Sequence, residues 1–257
     1  MKFDLERSYD LRAVKRKRGA IPVMDKEELK QELIKMPLRY TLPICCLSKK
    51  GIVTPGNGTV TLIKHQDRFF CITNVHVVEG IREQLSDDIY CQIGNVRFDL
   101  ATAKTFIDQD NDLCCFEVDS NITDNFFLSG EHPIFLPIPL TEVQIEVDQY
   151  VSLGGYPGCF RTKTKQGYQF DTFSHGGCLV TSVDQSTFSC LMEKEFEQEI
   201  LTDRRWEDLT ALGGISGCPV FTWVHNGISR IELAGIVQEG ELRLFGSETS
   251  TIKVSRI

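Results

Sequence analysis

The chain has 257 residues, enough to bury a sizeable core as one large domain or two small ones. Its hydrophobic content of 41% and charged content of 25% are ordinary for a globular protein. A net charge of −8 argues against a generic nucleic-acid binder, whose electrostatic footprint is a basic face.

Residues 1–39 read as an N-terminal extension. They carry the charge run Lys15-Arg16-Lys17-Arg18 and a predicted helix over Asp25–Lys35, where Leu29, Leu33 and Ile34 recur at helical spacing. From Tyr40 the texture changes to short β-type runs: Tyr40–Leu47, Thr59–His65, Arg68–Thr73, Asp88–Ile93, Val96–Ile107 and Leu113–Val118. Pro55-Gly56-Asn57-Gly58 reads as a turn between the first two. Proline and polar residues then interrupt the rhythm, with Pro133, Pro137 and Pro139 among them, and mark a crossover over 126–148 between a first β unit, 40–125, and a second, 149–257. The second unit offers Tyr150–Gly154, Tyr168–Phe173, Gly177–Val183, Phe188–Met192, Val220–His225 and Ile228–Val237, with a hairpin expected at Asn226-Gly227. An acidic insertion, Glu193–Leu209, with Trp206 and Leu209 as anchors, precedes the last two runs. Many short strands with turns between them predict an all-β barrel or sandwich.

Ten cysteines show no C-x-x-C spacing. Cys45-Cys46 and Cys114-Cys115 lie in strand-like runs, where neighbours point to opposite faces and cannot readily share a metal. They read as small core residues, with no metal and no cofactor expected. Met1–Ala20 lacks the apolar core of a signal peptide, and no later run is long enough to span a bilayer, so the expectation is a cytoplasmic, membrane-free chain with reduced thiols.

The stretch with most chemical content is Leu212–Phe221, LGGISGCPVF, which sets Ser216 between Gly214 and Gly217. Glycine permits the close approach and unusual dihedrals that expose a serine hydroxyl beside free backbone amides. A serine nucleophile needs a base, and His76 in ITNVHVVEG supplies an imidazole at the end of an apolar run. Asp112 in DNDLCCFEV supplies a carboxylate able to orient it. His, Asp, Ser is one of the chain orders in which this triad occurs.

These motifs resemble those of trypsin-like serine proteases of the chymotrypsin fold, in the bacterial-type intracellular branch. TNVHVV is similar to the family's histidine motif, DLCCFEV to its aspartate strand and GGISGCPVF to its GxSGGPVF; SLGGYPG and LAGIVQEG also match in place. The resemblance implies two six-stranded antiparallel β-barrels with the site in the cleft between them, 40–125 carrying His76 and Asp112, and 149–257 carrying Ser216. It implies an oxyanion hole from the amides of Gly214 and Ser216. It also implies substrate contacts at Thr210, as pocket floor, and along Val237, Gln238, Glu239 and Gly240, whose edge would pair with the substrate backbone. The implied activity is serine endopeptidase cleavage of a restricted set of protein or peptide substrates, with a regulatory protein partner as the trigger of an effector. A silent protease-fold scaffold and a serine esterase are the alternatives.

Three departures stand out. Ile215 replaces the aspartate that pairs with a new N-terminus in extracellular zymogens; Cys218 replaces the second glycine and reads as a packing residue; Gln238 replaces a serine that supports the catalytic aspartate. Glu239 and Glu241 leave open a preference for a basic substrate residue or a merely solvated edge.

Overall fold

A computed structural model of the chain describes residues 26–48, 53–126, 134–138, 143–164, 167–193, 209–225, 229–242 and 249–256. The Lys15–Arg18 run, Trp206, most of the acidic insertion and the Asn226-Gly227 hairpin tip lie outside the described residues.

The molecule is mostly β and has two lobes. In the first, β1 (Thr41–Ser48), β2 (Val53–His65), β3 (Arg68–Asn74), β4 (Ile89–Ile93), β5 (Val96–Phe98), β6 (Thr105–Asp108) and β7 (Leu113–Val118) form a curled sheet in the order β5-β4-β1-β2-β3-β7-β6. The crossover contributes β8 (Leu136–Ile138), which pairs parallel with β2. Alternation along the strands turns Leu42, Ile44, Val60, Leu62, Cys71, Cys114 and Phe116 inward to one core. In the second lobe, β9 (Tyr150–Gly155), β12 (Phe173–Val183), β13 (Thr187–Glu193), β14 (Pro219–His225), β15 (Ser229–Leu242) and β16 (Thr249–Arg256) close into a six-stranded barrel. Val151, Leu153, Val180, Met192, Val220, Ile252 and Val254 fill it. A small ribbon, β10 (Arg161–Thr164) with β11 (Gly167–Phe170), forms a separate two-stranded sheet.

Two local readings change. Pro55–Gly58 lies inside β2 rather than in a turn: β1 advances from Cys45 to Leu47 while β2 runs from Asn57 back to Val53, so the extra residues are absorbed as a bulge. A bulge accepts a proline that has no N–H to give the ladder, and its sequence chemistry is that of a turn. The run Val96–Ile107 is broken into β5 and β6, because the Asp99 carboxylate accepts from Thr102 Oγ1 at 2.7 Å and turns the chain there.

The N-terminal helix, α1 (Lys26–Arg39), is longer than its periodicity suggested and runs through Pro37. Ile34 is fully buried, and its carbonyl accepts from Ser174 Oγ of β12, so the extension packs on the second lobe.

Candidate active site

His76 sits in the first turn of a short helix, α2 (Val75–Arg82), that follows β3. Val75, Val77, Val78 and Ile81 are buried against the first core, which leaves His76 facing outward, with its side chain 53% exposed. Asp112 ends the loop between β6 and β7 in a left-handed conformation, φ 51°. That conformation is uncommon for a residue with a side chain and is held here from several directions. Asp112 O accepts from Asn74 Nδ2 at 3.0 Å and from Val75 N at 3.3 Å. The preceding turn is fixed by Asp108, which accepts from Asn111 N at 3.2 Å and Asn111 Nδ2 at 2.7 Å.

The Asp112 carboxylate grips the histidine at two points. Oδ2 is 2.7 Å from His76 Nδ1, and Oδ1 accepts from His76 N at 3.1 Å. An ionised carboxylate only accepts, so Nδ1 carries the ring proton and Nε2 is left with a lone pair.

The second lobe supports this loop. Gln238 Nε2 and Ser255 Oγ both donate to Asn111 O, at 2.9 and 2.6 Å, next to Asp112. Gln238 therefore acts on the backbone before the aspartate, not on the carboxylate.

Ser216 lies on the loop that leads into β14. Gly214 and Gly217 have φ of 98° and 93°. A side chain at Gly217 would overlap Thr59 O, so no other residue fits there. The loop's carbonyls are taken in turn: Gly213 O by Gly158 N at 2.6 Å, Gly214 O by Thr59 Oγ1 at 2.9 Å, Ile215 O by Cys218 N at 2.9 Å, Ser216 O by Thr59 N at 2.8 Å and Gly217 O by Thr61 Oγ1 at 2.8 Å. Ile215 N bonds Leu212 O and Gly217 N bonds Val237 O. Among the described residues the amides of Gly214 and Ser216 have no acceptor. A peptide unit points its N–H opposite its C=O, so with the carbonyls of Gly213 and Ile215 bonded to Gly158 N and Cys218 N, the amides of Gly214 and Ser216 each point away from those partners.

Ile215 is fully buried in the barrel core, in the place of a charged residue that would need a counter-ion. The loop is held by first-lobe threonines instead. Cys218 is fully buried behind it, and burial pushes its thiol up to about 12, which keeps it protonated and unreactive.

The remaining expected contacts divide. Val237 is buried with both backbone groups taken, its N–H by Cys218 O and its carbonyl by Gly217 N, so it cannot pair with a substrate. The β14 partner of β15 stops at Ile236, and beyond it Gln238–Leu242 pairs only with β16 among the described residues. Glu239 is exposed, and Gly240 faces Leu212. Thr210 is also exposed, in contrast to the enclosed pocket floor expected for it. His76 and Asp112 are brought together, but among the described residues no hydrogen bond joins Ser216 Oγ to His76. Thr59, Thr61, Asn111 and Ser255 shape the site without having been singled out by sequence. Thr59 and Thr61 alternate along β2 with the core residues Val60 and Leu62 and face the second lobe.

No family model matches the chain, and no curated protein matches it. Among solved structures, it is similar to the serine protease of a human pathogenic astrovirus, at 14% identity and TM-score 0.40, over 86% of this chain and 90% of that one. It is similar to a mutant of the Tobacco Etch Virus protease, at 13% identity and TM-score 0.45, over 85% and 74%. It is also similar to the scabies mite inactivated protease paralogue S-I1, at 12% identity and TM-score 0.46, over 88% and 91%. The strand order, a closed six-stranded barrel beside a curled sheet, is that of a chymotrypsin-like fold. Among the described residues no helix is long and apolar enough to cross a membrane.

Proposed function

We propose that the chain is a serine endopeptidase that cleaves a restricted set of protein or peptide substrates through an acyl-enzyme. The observation that carries this reading is the two-point contact of His76 with Asp112, at 2.7 Å and 3.1 Å. It fixes the tautomer in which Nε2 accepts the Ser216 proton and later returns it to the leaving amine. The Ser216 oxygen adds to the scissile carbonyl, and the amides of Gly214 and Ser216 receive the charge that develops on its oxygen. Expulsion of the amine leaves an ester on Ser216, which water hydrolyses.

None of the ten cysteines is in a disulfide, which supports a reducing, cytoplasmic setting and, with it, narrow substrate choice. A substrate or regulatory protein partner completes the site by closing Ser216 on His76, a contact that commonly tightens only in the Michaelis complex. The missing Ser216–His76 hydrogen bond favours a second reading, a permanently silent scaffold on the same fold.

Labelling with a serine-directed fluorophosphonate separates the two. The catalytic reading expects label on Ser216 and none on Ser216→Ala. No label on the native protein, alone or with cell extract to supply a partner, defeats it.

A further inference from the structure

A half-buried guanidinium, with no counter-ion among the described residues, lies where the two lobes meet. Arg161 opens β10; its Nη1 is sealed from solvent with no hydrogen-bond partner, and among the described residues no carboxylate is in ion-pair range of it. The Tyr168 ring lies 5.9 Å from its Cζ, and its charge is felt at the Cys45 thiol in the first lobe. Cys45 pairs across the β1–β2 ladder with Asn57. Asn57 Nδ2 is a second buried donor with no partner. It stands 2.5 Å from where Gly214 would carry a side chain and 3.2 Å from the same point on Gly158, three residues before Arg161.

Buried donors left unbonded cost free energy, and a desolvated charge costs more. An unpartnered guanidinium and an unpartnered amide, the one three residues beyond Gly158 and the other beside it, together match an acceptor that brings negative charge and two oxygens, which is a carboxylate. The seam's place in the cleft says which part of a substrate reaches it. The free edge of β15 flanks the nucleophile loop at Gly217 and Leu212, whereas Asn57 and Gly158 flank it at Gly214. A substrate whose acyl half pairs with β15 sends its leaving half towards Asn57 and Arg161.

We propose that Asn57 and Arg161 form a carboxylate-binding subsite for the leaving-group side of the substrate. Its role in cleavage rests on the endopeptidase reading; its affinity for a carboxylate does not. The carboxylate comes from an Asp or Glu side chain just beyond the scissile bond or from the C-terminus of a short leaving peptide.

Three dipeptides distinguish these sources: acetyl-Ala-Glu-amide, acetyl-Ala-Gln-amide and acetyl-Ala-Gln with a free C-terminal carboxylate. Binding is followed by NMR at the Asn57 side-chain amide in the Ser216→Ala protein, where no turnover intervenes. At least one carboxylate peptide is expected to bind about tenfold or more tightly than the neutral one, and which of them does so identifies the source. The preference disappears in Arg161→Gln. It also disappears in Asn57→Asp, a near-isosteric change read by intrinsic fluorescence, which guards against misfolding of the arginine variant. Equal affinities for all three peptides, or an undiminished preference in Arg161→Gln, overturns the proposal. Fluorophosphonate labelling of the Ser216 protein reports separately on the endopeptidase reading.

Discussion

Thr59 Oγ1 donates to Gly214 O at 2.9 Å, joining the first lobe to the Ser216 loop of the second, and the same hydroxyl accepts from Tyr156 N at 3.2 Å. With Thr59 N on Ser216 O and Thr61 Oγ1 on Gly217 O, docking of the lobes and shaping of the loop become one event. Thr59→Val keeps the volume but strands a buried carbonyl and a buried amide, at a cost of about 1–3 kcal/mol each. Phosphonate labelling of Ser216 is expected to slow by about tenfold or more, equivalent to ~1.4 kcal/mol in the barrier, with a lowered melting temperature. Thr59→Ser is expected to retain most of the rate. Equal labelling in Thr59→Val and the native protein would show that Gly214 is set by Gly158 alone.

The parts of the site legible in sequence are those carried by short local words. His76 follows its strand and opens a helix, Asp112 heads β7, and Ser216 lies between two glycines whose left-handed backbone demands them. Thr59 was not legible, because its partner Gly214 is 155 residues away and only the lobe packing aligns them. Ser255 is separated from Asn111 by 144 residues and gives no local sign at all. Pro55–Gly58 misled because bulges and turns draw on the same residues. Val237 misled because whether a strand edge is free depends on Gly217 and Cys218, not on the strand itself.

Asp112→Asn tests the tautomer. An amide can donate to His76 Nδ1 and so favours the proton on Nε2, where it blocks acceptance from Ser216. Activity on a cleaved peptide is expected to fall by about 10⁴, the size seen when such a triad carries the wrong tautomer, while the fold is kept. Nitrogen chemical shifts of the His76 ring should show the proton moved from Nδ1 to Nε2. A normal rate with an unmoved proton would contradict the assigned role of Asp112.

Gln238 and Ser255 share one acceptor, Asn111 O, and their contributions should not add. Ser255→Ala alone leaves the Gln238 bond, and Gln238→Met alone leaves the serine bond; together they orphan a carbonyl at the lobe interface. A double-mutant cycle on unfolding free energy is expected to give a coupling of about 0.5–3 kcal/mol, the range for residues in one network, with the double variant losing most activity. Additivity within measurement error would mean that the Asp112 loop is held from its own lobe.

Asp108 gives the site an acid limit. The Asn111 side-chain amide, then the Asn111 backbone amide, holds the Asp108 carboxyl below its ordinary value. A carboxylate depressed in the folded state contributes stability that is complete above its unfolded value and is lost as pH falls through the folded one. The Asn111–Asp112 turn should therefore loosen at acid pH, and with it the left-handed backbone that presents Asp112 to His76. The Asn111 amide resonance is expected to shift on acidification, with a midpoint below the usual carboxylate range. In Asp108→Ala that transition disappears, and Ser216 labelling slows even at neutral pH. An Asn111 signal that stays flat through the acid range, with labelling unchanged in Asp108→Ala, would place the control of Asp112 in Asn74 and the second lobe instead.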